Sequence, residues 1–189
     1  MAKRLDLDHQ AIEVIRLAGL ALRHFEVWRV YTEQESRDKL FFALEQFPDF
    51  VNLDQHAHQE LCLLYLGTLF EKNDGTINLG ALIEEAAVAN DQFFAEKVRA
   101  RFDEASHLIK KIHLLRNNAV AHRSAKLSRA SVFARAELSP DDLRILVDDT
   151  EQIAYAIGRA FGVEPFTIAV LAPTDLSRIF ARLLPQATD

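Results

Sequence analysis

Between Leu115 and Arg123 the chain reads Leu-Arg-Asn-Asn-Ala-Val-Ala-His-Arg, which sets a guanidinium, two amides and an imidazole close together. Arg116 offers a planar, permanently charged fork that matches phosphate oxygens. His122 carries the one side chain that ordinarily titrates near neutral pH, so it can give or take a proton there. Together they could hold a phosphodiester and move its protons without a metal ion. On an unbroken helix the six steps from Arg116 to His122 turn through about 600°, leaving the two side chains roughly 120° apart. They converge only if the helix ends or distorts between them. Asn117 and Asn118 suit that role, because Asn competes for backbone hydrogen bonds and tolerates left-handed conformations. Ala119, Val120 and Ala121 are small and apolar, so this link can pack inward and hold the polar groups at a cleft.

The charge around these residues is uneven. Net charge is −6 over 189 residues, which argues against a general, long-range affinity for nucleic acid. From Ala105 to Ala136, however, there is no Asp or Glu, while Lys110, Lys111, Arg116, Arg123, Lys126, Arg129 and Arg135 supply seven bases. A local basic surface on an acidic body would attract a phosphate chain at one place. The alternative is a solvated segment whose bases pair with acids elsewhere in the fold. Charge alone weighs the two equally. Lys110, His113 and Arg116 lie one turn apart on one stripe, and with Arg123, Lys126 and Arg129 they are the candidate RNA-contacting residues; an exposed polar stripe explains them equally well.

The elements that must position the motif are helices. Val14, Leu17, Ala18, Ala21, Phe25 and Trp28 share one face of a helix running from about Asp8 to Tyr31. Thr32 and Glu35 have capping-box spacing, so a second helix restarts there or the first bends. Leu40, Phe41, Leu44 and Phe47 continue a helical stripe until Pro48 interrupts it. A third helix is expected from about Asn52, with Ala57, Leu61, Leu64, Tyr65 and Thr68 inward, ending at the turn Asn73-Asp74-Gly75. Asn78 caps a short helix bearing Leu79, Leu82, Ile83 and Ala86. One long helix from about Asp91, with Phe94, Val98, Phe102, Ala105, Leu108, Ile112 and Leu115 on one side, then delivers Arg116. Residues Arg123 to Leu138 read as a loop or irregular helix. Ser139-Pro140-Asp141-Asp142 is a clear helix start, followed by the buried face Leu143, Leu146, Val147, Thr150, Ile153 and Ile157 up to Gly162. An apolar stretch, Phe166 to Leu171, leads to a short helix capped by Thr174, with Leu176, Ile179, Phe180 and Leu183.

This is an all-α bundle with extra short helices, a main domain over residues 1–162 and a C-terminal extension over 163–189. One cysteine, Cys62 in an apolar run, leaves no disulfide framework and no Cys-based zinc site, which fits a reducing cytoplasm. The N-terminus lacks the apolar core of a signal peptide, and the densest apolar run, Leu61 to Phe70, is half the length needed to span a bilayer. No Gly-rich phosphate loop is present. Ser124, Ser128 and Ser131 have no nucleophile-elbow context. Asp54, His56 and His58 suggest a metal site, but His56 points away from the face that the other two share, so a solvated helix start is the better reading. His24 and Trp28 read as packing. No metal ligand set and no cofactor are expected.

An Arg, a polar residue, a few more and a His, at the end of a long helix in an all-α chain, is similar to the R-x(4–6)-H signature of the HEPN superfamily. Trp28 to Tyr31, Leu64 to Phe70, Asn78 to Leu82 and Ser139 to Leu143 resemble the abortive-infection U-type (AbiU-like) branch, over roughly residues 10 to 162. The resemblance implies a homodimer formed across the motif, with two copies of Arg116 and His122 in one composite cleft. It also implies metal-independent endoribonuclease chemistry in phage defence or a toxin–antitoxin pair, with RNA as substrate and an antitoxin or other protein as a further partner. His122 would then exchange protons with the ribose 2′-OH or the leaving oxygen. Arg116 would stabilise the phosphorane-like transition state, and Asn117 would orient one of them. Some HEPN toxins carry a Tyr two residues after the motif His, where a partner nucleotidyltransferase modifies them; here that residue is Ser124. Many HEPN domains are inactive, so a non-catalytic helical dimer that binds nucleotide, RNA or protein is the alternative.

Overall fold

A computed structural model describes residues 6–73, 75–89, 92–120, 127–164 and 171–183, apart from the side chains at 89, 92–95 and 183. Among them are nine α-helices, one π-helical turn and no strand, the all-α class that the hydrophobic periodicity predicts. Helix α1 (Leu7–Thr32) is the centre of the packing. Its predicted face, Val14, Leu17, Ala18, Ala21, Phe25 and Trp28, is buried, and α3 (Pro48–Leu69) and α8 (Pro140–Ala160) close over it. The core continues through α4 (Leu79–Ala89) to Val98 on α5 (Gln92–Glu104) and to Leu108, Ile112 and Leu115 on α6 (Ser106–Leu115).

Several boundaries follow their sequence signals. Asn78 caps α4, its Oδ1 accepting from the Ala81 N–H at 2.8 Å. Ser139 and Asp142 form a reciprocal capping box on α8, and all six predicted inward residues of that helix are buried. Gly162 closes α8 with φ +71°, a left-handed value that costs glycine little, while the Val163 N–H returns to the Gly158 carbonyl at 2.9 Å.

Other expectations are corrected. The Thr32–Glu35 capping box does not form: Thr32 Oγ1 donates back to the Trp28 carbonyl at 3.2 Å, and extended Glu33 separates α1 from α2 (Gln34–Gln46). The α2 stripe does stop before Pro48, at Gln46, but α3 starts at Pro48 itself and not near Asn52, because a first-turn N–H has no helical acceptor to lose. The buried face of α3 is Cys62, Leu63, Leu66, Gly67 and Leu69, one step round from the predicted one. Residues 61–70 are apolar on almost every side, so periodicity does not fix their phase. On α2, Leu40 and Ala43 point inward, and Phe41 and Phe47 remain exposed.

The long helix before the motif is two helices meeting at buried Ala105, where the His107 ring hydrogen-bonds the Glu104 carbonyl at 3.1 Å. Within the expected irregular region lies α7 (Arg129–Ala136), capped by Ser128, whose Oγ accepts from the Ser131 N–H at 3.2 Å. The last helix, α9 (Ala172–Leu183), starts before Thr174 and packs on α1 and α2 of its own chain. Phe180 fills a second small core with Val27, Val30, Tyr31, Leu40 and Ala43. Among the described residues no helix is long and apolar enough to cross a membrane.

Where α1 crosses α3, a polar chain is set into the contact. Tyr31 donates to Asp54 Oδ2 at 2.6 Å, Asp54 Oδ1 lies 3.6 Å from His58 Nε2, and His58 Nδ1 meets His24 Nδ1 at 2.8 Å. His24 also stacks on Tyr65. Two rings sharing one hydrogen bond through like nitrogens need one lone pair between them, so they cannot both be protonated. Burial, reinforced by His58 and Arg23, pushes His24 down to about 4, against the opposing pull of Asp54. Burial also lowers His58. An unfolded His takes up its proton near pH 6.5. The stability this arrangement contributes is therefore complete above that pH and is lost as pH falls towards 4. The urea midpoint of the wild type should fall between pH 7 and pH 5, and His24→Gln should flatten that slope. Equal slopes in both proteins would show that the pair does not stay neutral.

Candidate functional site

Helix α6 brings Leu115, fully buried, to the start of the π-helical turn Arg116–Val120. The turn has a visible local cause. Asn118 Nδ2 donates to the Leu114 carbonyl at 2.9 Å, taking an acceptor that a regular α-helix would give to the Asn118 N–H. Widening the ladder to i→i+5 then keeps the backbone bonded. This is the distortion that the Arg116–His122 spacing requires, at the asparagines that favour it. Ala119 packs into the core behind it, and Asn117 is exposed.

The Arg116 side chain leaves the π-turn and runs across α3 at Gly67. A Cβ at position 67 would collide with Arg116 Cδ, so only glycine lets the guanidinium pass so close to the helix. Beyond it the fork meets Glu71, just past the end of α3. Arg116 Nη1 donates to Oε1 at 3.2 Å and Nη2 to Oε2 at 3.1 Å. Both side chains are mostly shielded, with 19% and 24% of their surface exposed, so this pair is more than a solvated surface contact. Among the described residues Glu71 is the guanidinium's one hydrogen-bond partner, and the Nε–H is buried without an acceptor. His113, half-buried one turn earlier, lies beside the Phe70 backbone, whose pull favours its charged form. Burial holds it below its ordinary titration value although that pull works the other way, and the neighbouring Arg116 and Lys72 add to the lowering.

A second arginine fastens the far end of the motif segment. Arg129, at the start of α7, pairs with Glu60 on α3, donates to Gln59 at 3.4 Å and lies 5.2 Å above the Phe133 ring. Glu60 and Glu71 are separated by about 16 Å of helix. Arg116 and Arg129, one on each side of the motif segment, are therefore fastened at two points along α3 and its end. His122, Arg123 and Lys126 fall outside the described residues.

Of the seven bases between Ala105 and Ala136, three are tied to acids: Lys111 to Asp142 at 3.0 Å, Arg116 to Glu71 and Arg129 to Glu60. Lys110 and Arg135 are exposed, with no ion-pair partner among the described residues. The structure thus brings Arg116, His113, Glu71 and Lys72 together, with exposed Asn117 next in the chain and Lys110 further back on α6. Glu71, Gly67 and Glu60 have no signal in the sequence pattern beyond the acid-free stretch, which implies that its partners lie elsewhere. The Asp54–His58 face is confirmed, but its third member is His24, and exposed His56 is not part of it. Among the described residues, no group of three or more His, Cys, Asp or Glu side chains could hold a metal ion.

The paired fork gives a direct test. Arg116→Ala, Glu71→Ala and the double variant, compared by chemical denaturation, should give a coupling energy above about 1 kcal/mol, more than an exposed ion pair supplies. Gly67→Ala should destabilise the fold and lower that coupling, since the fork can no longer reach across α3. Additive single losses would remove the pair as a determinant of the site. No curated protein and no solved structure matches the chain. A family model described as HEPN AbiU2, however, matches residues 5–176. That span includes every element described above except the end of α9, and the chain belongs to the AbiU2 family of HEPN proteins.

Proposed function

We propose that this chain is a metal-independent endoribonuclease of the abortive-infection or toxin type. The observation that carries the reading is Arg116 itself. A chain that needs only a helix end does not thread an arginine over a glycine and hold its fork flat against a single carboxylate. The fork is presented beside a π-turn that leads towards His122. With RNA in the cleft, His122 takes the proton of the ribose 2′-OH or gives one to the departing 5′-oxygen. The 2′-oxygen bonds to phosphorus, the P–O5′ bond breaks, and a 2′,3′-cyclic phosphate and a 5′-hydroxyl remain. Arg116 stabilises the charge that accumulates on the equatorial oxygens, and Asn117 orients the reacting groups. Lys110, His113, Arg123, Lys126 and Arg129 would be the residues that contact the RNA backbone. The motif-side homodimer belongs to the same proposal and would place two such sets in one cleft.

The Glu71 bond favours one alternative enough to keep it in view. An arginine whose fork is already satisfied could serve a binding module that holds nucleotide or RNA without cutting it. That reading expects salt-sensitive binding and intact strands. The two part in one assay, RNA incubated in EDTA with the wild type, Arg116→Ala and His122→Ala. The proposal expects cyclic-phosphate ends from the wild type and a loss on the order of 10²-fold or more in each variant. Cutting that persists without His122 would overturn it, and binding without scission would establish the alternative.

A further inference from the structure

The corner formed by α2 and the start of α3 leaves large apolar groups open. Phe42 is 70% exposed, Leu53 71%, Phe50 55%, Phe41 50% and Phe47 42%. These five side chains leave roughly 500 Å² of apolar surface uncovered, near the upper limit for a lone domain. Phe41 and Phe42 meet edge to face, with ring centroids 5.6 Å apart. The inner side of α2 is already satisfied, because Leu40 and Ala43 pack with Val27, Tyr31 and Phe180. The outer side is therefore unpartnered among the described residues, while the inner side is full.

The charges on that outer side identify its occupant. Positions 37, 41 and 45 fall on one stripe of α2, a turn apart. Arg37 lies one turn before Phe41 and Glu45 one turn after it, both exposed. The other charges on the helix are engaged locally, Lys39 with Glu35 at 2.6 Å and Asp38 with Gln34 at 2.7 Å. Arg37 and Glu45 have no such partner among the described residues. A second α2 laid antiparallel across a two-fold axis at Phe41 puts Arg37 of each copy against Glu45 of the other. A parallel arrangement would set like against like.

We infer that α2 forms a two-fold, antiparallel contact with α2 of a second copy of this chain. Phe41 lies at its centre, and two Arg37–Glu45 pairs fix its direction. An isologous interface requires such a self-complementary patch. Its centre on α2 is a different element from the motif at the end of α6, so it is distinct from the proposed pairing across Arg116 and His122, and the two together would build a larger closed or extended assembly.

Sedimentation of the full chain over a range of concentrations tests this, with far-UV circular dichroism to confirm folding. Arg37→Glu and Glu45→Arg should each remove one association step that the wild type makes, and the double variant should restore it. Restoration is specific to self-pairing. A wild type that makes no such step would overturn the proposal, as would single variants that associate normally. So would dissociation by Phe42→Asp alone with no response to the charge exchange, which would assign the patch to a partner other than a second copy.

Discussion

A guanidinium shielded from water must find an anion, and in this chain that need ties together elements far apart in sequence. Arg116 sits at the end of α6 and Glu71 just past the end of α3, 45 positions earlier. Neither helix would place the fork without the other. The absent side chain at Gly67 is the third part of the arrangement, since the arginine reaches the carboxylate only by crossing α3 where its surface is lowest. The strength of a charge-assisted, two-point bond outweighs the loss of backbone regularity nearby. Phosphate would meet a fork already oriented, at the expense of displacing the carboxylate that orients it.

The class of the fold was legible because its signals are local. Faces such as those of α1 and α8 are written in a single 3.6-residue period, and caps such as Asn78 and Ser139 depend on residues three apart. Errors occurred where the deciding force was tertiary. Helix α3 is apolar on most sides, so only its neighbours choose which side is buried. On α2 the large Phe residues, Phe41 and Phe47, were expected inside, but small Ala43 is there because Phe180 from α9 fills the space beside it. Pro48 marks where the α2 stripe stops, as its spacing implies, and it also begins α3 at once, because the missing N–H that ends one helix costs nothing in the first turn of the next.

The candidate site was half legible. Arg116, the asparagines and the need for a distortion all follow from types and spacing. The acids that hold the arginines do not, because an ion pair across the fold leaves no periodic trace. The acid-free run from Ala105 to Ala136 was the available clue, and it had two readings of equal weight. The structure divides the run between them. Lys111, Arg116 and Arg129 are neutralised by Asp142, Glu71 and Glu60, while Lys110 and Arg135 face solvent. Of the five bases of this run among the described residues, three are thus fastenings and two remain open.

The π-turn at Arg116–Val120 also bears on how this chain can vary. A wide turn is what a helix looks like after it has accommodated one residue too many without losing its ends. Removing a residue there would let the ladder close into ordinary i→i+4 bonding, a gain in local regularity. It would also rotate everything after the deletion by about 100° relative to α6. A change of length is the more disruptive kind of change, because the stretch sets the angular offset between the arginine and whatever follows it. Length between Arg116 and His122 is accordingly the quantity to preserve when this segment is grafted, shortened or redesigned.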